Sequence, residues 1–179
     1  MQPPLSEKSA KFDEVAVNET SRKIRVLFVC TGNICRSPTA EGVFRRLAEL
    51  EGLSERVEAD SAGTHGYHVG EPPDSRAQGE AAERGYDLSS LVARRVEADD
   101  FYRFDLVLAM DRGHHRQLSR LAPSDARARL HLFMEFASGV ATEDVPDPYY
   151  GARSGFEKVL DMIEAGAEGL LAAIKEGRL

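Results

Sequence analysis

The sequence predicts an α/β fold: a three-layer sandwich with a central four-stranded parallel sheet and helices on both faces. Strand and helix signals alternate along the whole chain, the pattern of right-handed crossover units. The strand candidates are short continuous apolar runs such as "VLFVC" and "LVLAM", which read as buried strands. A length of 179 residues, 42% of them apolar, suits one domain with one sizeable core.

Residues 1–22 are polar with little periodicity and read as a mobile tail. A regulatory arm, or a start codon assigned too early, would give the same pattern. "KIRVLFVC" is the first strand. Ser37 then Pro38 read as N-cap and first helical position. The helix "PTAEGVFRRLAELEG" places Ala40, Val43, Phe44 and Leu47 on one face, and Gly52 ends it. "RVEADSAG" is a second strand and turn. "HVGEPPDSRA" is a loop leading to a helix over 74–84. "FDLVLAM" is the third strand, followed by a helix over 111–121, and "LHLFMEF" is the fourth strand. "EDVPDPYYG" is a loop with two prolines. Near the end Phe156, Val159, Leu160, Ile163, Ala167, Leu170, Leu171 and Ile174 recur at 3–4 spacing, a long amphipathic helix packed on the sheet. Its polar face is not strongly basic, which argues against a membrane-surface role.

A formal charge of −7 and a pI near 5.3 argue against nucleic acid as the main partner. No apolar run is long enough to span a bilayer, and the N-terminus lacks the apolar stretch of a signal peptide, so no membrane association and a cytoplasmic location are expected. Two cysteines make no disulfide framework. Both fall in one loop, "CTGNICR", at the carboxyl end of the first strand. That is where parallel sheets bind ligands.

The loop must turn back on itself between Cys30 and the following helix. Gly32 and Asn33 tolerate left-handed backbone. Such a turn points successive N–H groups inward as an anion nest, reinforced by the helix N-terminus. Arg36 adds a planar cation that holds two oxygens at once. These features converge on a tetrahedral oxyanion, phosphate first of all, bound by residues 31–37. The field that binds the anion also favours a thiolate, so Cys30 beneath it is a nucleophile for in-line attack. Ser37 is positioned to donate to the sulfur. No GK[ST] follows, which excludes a Walker loop. Cys30 and Cys35 alone do not complete a metal site, and His65, His68 and His131 show no metal spacing. No metal and no cofactor are expected. His114 and His115 read as a solvated helix face.

The stretch "VCTGNICRSPTAE" resembles the signature of low-molecular-weight protein tyrosine phosphatases. "DSAGT" (60–64), "FDLVLAMD" (104–111) and "PDPYYG" (146–151) follow in the order that family shows, and the likeness spans roughly 24–175. It implies a low-molecular-weight phosphotyrosine phosphatase domain over 23–179. It further implies a metal-free hydrolase in which Cys30 attacks the phosphoryl group and Arg36 holds it, with Thr31, Gly32, Asn33, Ile34, Cys35 and Ser37 around it. Taken alone, Asp147 in "VPDPYY" reads as an Asp-Pro turn; the resemblance makes it the general acid and base. Asn33 and Ser61 match positions that hold the loop in shape. Leu91 stands where the family often has a His, so one contact to that network is expected to be missing or replaced. Asp111 reads as a helix cap or loop tether.

Tyr67, Tyr149 and Tyr150, with Ile34, are expected to form a slot for a phosphotyrosine ring. Relatives acting on phosphoarginine carry Thr where this chain has Ile34, which favours phosphotyrosine. Cys35 is placed to trap oxidised Cys30 as a disulfide, or to shape the loop. The expected partner is a phosphotyrosine-containing protein, a bacterial tyrosine kinase being one candidate. The expected assembly is a monomer or weak dimer. Arsenate reduction on the same scaffold, phosphoarginine hydrolysis, and a binding module without catalysis are the alternatives. The first is disfavoured because no cysteine follows Cys35.

Overall fold

Alternating side chains of the two central strands divide between two apolar layers. In β1 (Ile24–Cys30), Val26, Phe28 and Cys30 face one core cluster, and Leu27 and Val29 face the other. β3 (Leu106–Ala109) repeats this, with Leu106 and Leu108 on the first side and Val107 and Ala109 on the second. Strands covered on both faces have no polar side to alternate, which is why they read as unbroken apolar runs. The computed structural model describes residues 22–179. The tail expected over 1–22 lies, apart from Arg22, outside the described residues.

The sheet is parallel, in the order β2–β1–β3–β4, with β2 at Val57–Gly63 and β4 at Arg129–Leu132. α1 (Arg36–Leu50) and α5 (Arg153–Lys175) cover the first face through Val43, Phe44, Leu160, Ile163 and Leu171, and α2 (Ser75–Glu83) packs beside α5. The second face is covered through Phe101 of α3 (Asp100–Arg103) and Leu118 of α4 (Arg112–Leu121). This is the expected four-stranded, three-layer α/β architecture. The chain leaves β1 toward β2 on one side and returns to β3 on the other, so the crevice beyond the carboxyl end of β1 is the switch point.

α1 ends as expected near Gly52, at φ +70°: Leu53 N–H donates to Ala48 O at 2.7 Å and Gly52 N–H to Glu49 O at 3.1 Å, a Schellman closure. Its start differs. The helix begins at Arg36 with Cys35 as its cap, so Ser37 is the second helical residue and not the N-cap. Its hydroxyl serves the cysteine sulfur instead. The run "LHLFMEF" also divides. β4 stops at Leu132 and a 3₁₀ turn spans Phe133–Phe136, which sets the Phe133 ring edge-on to Phe28 at 5.2 Å. The short α3 has no counterpart among the expected elements.

Candidate active site

The loop over 31–35 leaves β1 and enters α1 within six residues of Cys30. Its outer carbonyls are pinned: Thr64 N–H donates to Cys30 O at 2.8 Å and His65 N–H to Thr31 O at 3.0 Å. Among the described residues, no N–H of 31–35 donates to a backbone acceptor. The turn that aims them inward passes through Asn33 at φ 57°, the left-handed region. Three bonds hold Asn33 there. Its Oδ1 accepts from Arg94 N–H at 2.9 Å, and its Nδ2 donates to Ser37 Oγ at 2.8 Å and Ser61 Oγ at 2.9 Å. Ser61 in turn donates to Glu41 Oε2 at 2.6 Å. Burial pushes the Glu41 carboxyl up, while Ser61 and Arg45 pull it back. Leu91 packs against the core, and the network is completed by the Glu41 carboxylate on Ser61 and the Arg94 backbone N–H on Asn33. Gly63 admits the close approach: a Cβ there would lie 2.6 Å from Thr31 O and 3.1 Å from Asn33 N.

Cys30 Sγ lies 3.0 Å from Ser37 Oγ, and both are buried. With the sulfur ionised, only the hydroxyl can donate. Cys35 is a free, buried thiol, pushed up to about 12 chiefly by desolvation and then by Asp74 and Cys30. Arg36 closes the loop. Its side chain is buried, and Nη1 donates to Asp111 Oδ2 and to Val145 O, each at 3.0 Å. Nη2 lies 3.5 Å from Thr31 Oγ1 and 3.6 Å from Asp147 Oδ2. Asp111 also caps α4 by accepting from His114 N–H at 2.8 Å, the tether expected of it. Asp147, half exposed, accepts from Tyr149 N–H at 3.1 Å, which turns its loop toward the guanidinium.

A cavity of about 210 Å³ opens over the loop, lined by Cys30, Thr31, Gly32, Ile34, Cys35, Arg36, Tyr67, His68, Asp147, Tyr149 and Tyr150. Thus Cys30, Arg36, Asp147 and the three tyrosines meet in one place. Asn33, Ser37 and Ser61 stand behind the loop and shape it. Tyr67 stacks on His65 at 5.1 Å, and Tyr149 meets Tyr150 edge-on at 4.9 Å with Arg76 over its ring at 5.5 Å. His68 is a lining residue that sequence reasoning missed; its place beside Tyr67 was the only signal. The expected solvated face at His114 is a correction. The ring is buried and its Nε2 lies 2.8 Å from Thr31 Oγ1, because the cap at Asp111 turns the third helical residue of α4 inward beneath the loop. His115 is half-buried.

The low molecular weight phosphotyrosine protein phosphatase family model matches residues 25–178. A low molecular weight protein-tyrosine-phosphatase of Streptomyces coelicolor is 53% identical over 155 residues, 85% of this chain and 94% of that one. Among solved structures, a protein tyrosine phosphatase from Entamoeba histolytica superposes with a TM-score of 0.84 at 39% identity, covering 88% of this chain and all of that one. YfkJ from Bacillus subtilis superposes with a TM-score of 0.82 at 39% identity, covering 88% and 98% of the two chains.

Proposed function

Because the chain belongs to the low molecular weight phosphotyrosine protein phosphatase family, we propose that it hydrolyses phosphotyrosine in proteins with Cys30, Arg36 and Asp147 as its working groups. It is a protein-tyrosine phosphatase, a hydrolase acting on phosphoproteins. The observation that supports these residue roles most is the stacking of Cys30 Sγ, the inward loop 31–35 and the Arg36 fork, with a carboxylate at 3.6 Å on the open side.

The phosphoryl oxygens take the N–H groups of the loop and the free edge of Arg36. The Cys30 thiolate attacks phosphorus, the sulfur–phosphorus bond forms, and the bond to the tyrosine oxygen breaks. Asp147 gives that oxygen its proton, worth about 10²–10⁴-fold. A water then attacks phosphorus and yields its proton to Asp147. Inorganic phosphate is released, and the sulfur leaves as a thiolate accepting from Ser37. Ile34, Tyr67 and Tyr149 flank the ring, and Ile34 favours it over a guanidino group.

We take the enzyme to be cytoplasmic, a monomer or weak dimer, with tyrosine kinases among its candidate substrates. Free thiols at Cys30 and Cys35 suit a reducing compartment, and among the described residues no helix is long and apolar enough to cross a membrane.

Phosphate release from a phosphotyrosine peptide at mildly acidic pH in EDTA tests the reading. Wild type is expected to turn over, Cys30→Ser is not, and a phosphoarginine peptide is expected to be the poorer substrate. No wild-type turnover on either substrate would sink the assignment.

A further inference from the structure

Among the described residues, one buried side-chain polar atom has no hydrogen-bond partner, Nδ1 of His114. Such atoms are uncommon in folded proteins and call for an explanation. This one lies 3.1 Å from Asp111 Oδ1, close but out of line for a hydrogen bond. The other ring nitrogen is 2.8 Å from Thr31 Oγ1. Asp111 holds Nη1 of Arg36, and Thr31 Oγ1 lies near Nη2 of the same guanidinium. The four residues close a ring: Arg36, Asp111, His114, Thr31 and back to Arg36. It joins the start of α1, the loop after β1 and the start of α4.

The protonation of the ring follows from its neighbours. With the proton on Nδ1, the ring faces the Asp111 carboxylate with a donor, and Nε2 accepts from the Thr31 hydroxyl. That leaves the lone pairs of Thr31 Oγ1 for Arg36. With the proton on Nε2, a lone pair would face the carboxylate and the hydroxyl hydrogen would compete with Arg36. We propose that His114 is a positioning residue of the phosphatase, a neutral imidazole that accepts from the Thr31 hydroxyl through Nε2 and turns its Nδ1–H toward Asp111, so that both residues keep their oxygens for Arg36 and fix the plane of its fork over Cys30. It touches neither substrate nor sulfur. The buried site favours the neutral ring, which is pushed down to about 4 by desolvation, against the pull of Asp111 and with Arg36 acting in the same direction as burial. The proposal rests on the reading of Arg36 as the group that holds the phosphoryl oxygens.

The orientation of a fork counts most when the phosphoryl group flattens in the transition state, so the effect belongs in kcat. Four variants of the full chain test this against a phosphotyrosine peptide: His114→Leu, Thr31→Val, the two combined, and His114→Gln. His114→Leu and Thr31→Val are each expected to lower kcat about tenfold or more, with KM within about twofold of wild type. The double variant is expected to be no slower than the slower single, because both cut one chain of contacts. Gln, whose amide reaches toward Thr31, is expected to recover most of the rate. Thermal midpoints measured alongside separate loss of fold from loss of rate.

Wild-type kcat in Thr31→Val, losses that multiply in the double variant, or a stable Gln variant as slow as Leu would each overturn the role of His114. If His114→Leu does not fold, Thr31→Val and His114→Gln decide the question alone. Absence of turnover in wild type would overturn the phosphatase reading of the site itself, an outcome distinct from normal wild-type turnover with indifferent variants.

Discussion

Replacing Arg36 by Lys keeps the charge and removes the fork. In the structure this guanidinium has two tasks. Nη1 is spent on Asp111 Oδ2 and Val145 O, each at 3.0 Å, which anchors a side chain only 4% exposed. The edge that carries Nη2 faces Thr31 and Asp147 and is the part left for phosphoryl oxygens. A single ammonium cannot anchor and bind at once. If it stays with Asp111, two charge-assisted hydrogen bonds to the transferring group are lost, at about 1.5–3 kcal/mol each. A loss of about 3–6 kcal/mol corresponds to about 10²–10⁴-fold in kcat/KM. The assay is kcat/KM on a phosphotyrosine peptide, with vanadate affinity and a thermal melt on the same protein. Vanadate binding is expected to weaken in step with kcat/KM, since both read the same oxygens. A folded Arg36→Lys enzyme within about tenfold of wild type would refute the reasoning, because charge alone would then suffice.

Ser37→Ala removes the donor 3.0 Å from the Cys30 sulfur and is expected to slow breakdown of the phosphocysteine more than its formation. A burst of phenolate before a steady state about tenfold slower would be the sign, and a slower enzyme with no burst would count against it. Cys35→Ser is expected to make peroxide inactivation irreversible, while dithiothreitol restores wild type. Because the Cys35 thiol is held up to about 12, disulfide capture in wild type is expected to quicken as pH rises. Mass spectra showing Cys30 sulfinate and no Cys30–Cys35 link in wild type would contradict this. His114 predicts an acid-sensitive fold. It sits near 4 when folded against an ordinary 6.5, so between those values the unfolded chain takes up a proton that the folded chain refuses. Stability is therefore full above 6.5 and falls as pH drops toward 4, by about 3 kcal/mol in all at about 1.4 kcal/mol for each tenfold. The charged or titratable neighbours are Asp111, Arg36, Asp147 and His65. Urea midpoints at pH 7 and pH 4.5 should diverge less in His114→Gln than in wild type, and equal divergence would refute the assignment.

The parts of the site that could be read from sequence are those whose partners are near in sequence. Cys30, the turn at Asn33 and Arg36 sit in one strand–loop–helix unit, so residue type and spacing were enough to suggest an anion nest over a thiol. Asp147 meets Arg36 only through the tertiary fold, and its own neighbourhood says no more than Asp-Pro turn. It was legible through family resemblance and not through local chemistry. Gly63 shows the same limit from the other side. "SAG" reads as a turn, yet what demands glycine is the carbonyl of Thr31, 2.6 Å from where a Cβ would stand. Ser37 was misplaced because N-cap preference is a weak local term. The helix gains more by starting at Arg36 and turning the Ser37 hydroxyl under the sulfur, where it bonds Asn33 as well. His114 was misread for a related reason. Periodicity puts it on a polar helix, but the cap at Asp111 and the hydroxyl of Thr31 draw its ring inward. The "LHLFMEF" run fails as a single strand because Phe133 and Met134 are consecutive and both bury in the same cluster, which a strand with alternating faces cannot do. At Gly63 and His114 the local preference was real and a contact from a distant element outweighed it, whereas at Ser37 the loop's own sulfur and amide did so. The contacts of Arg36, Asp147 and His114 gather where the loop, α1 and α4 meet, the place where small displacements of Arg36 would be felt most by the chemistry.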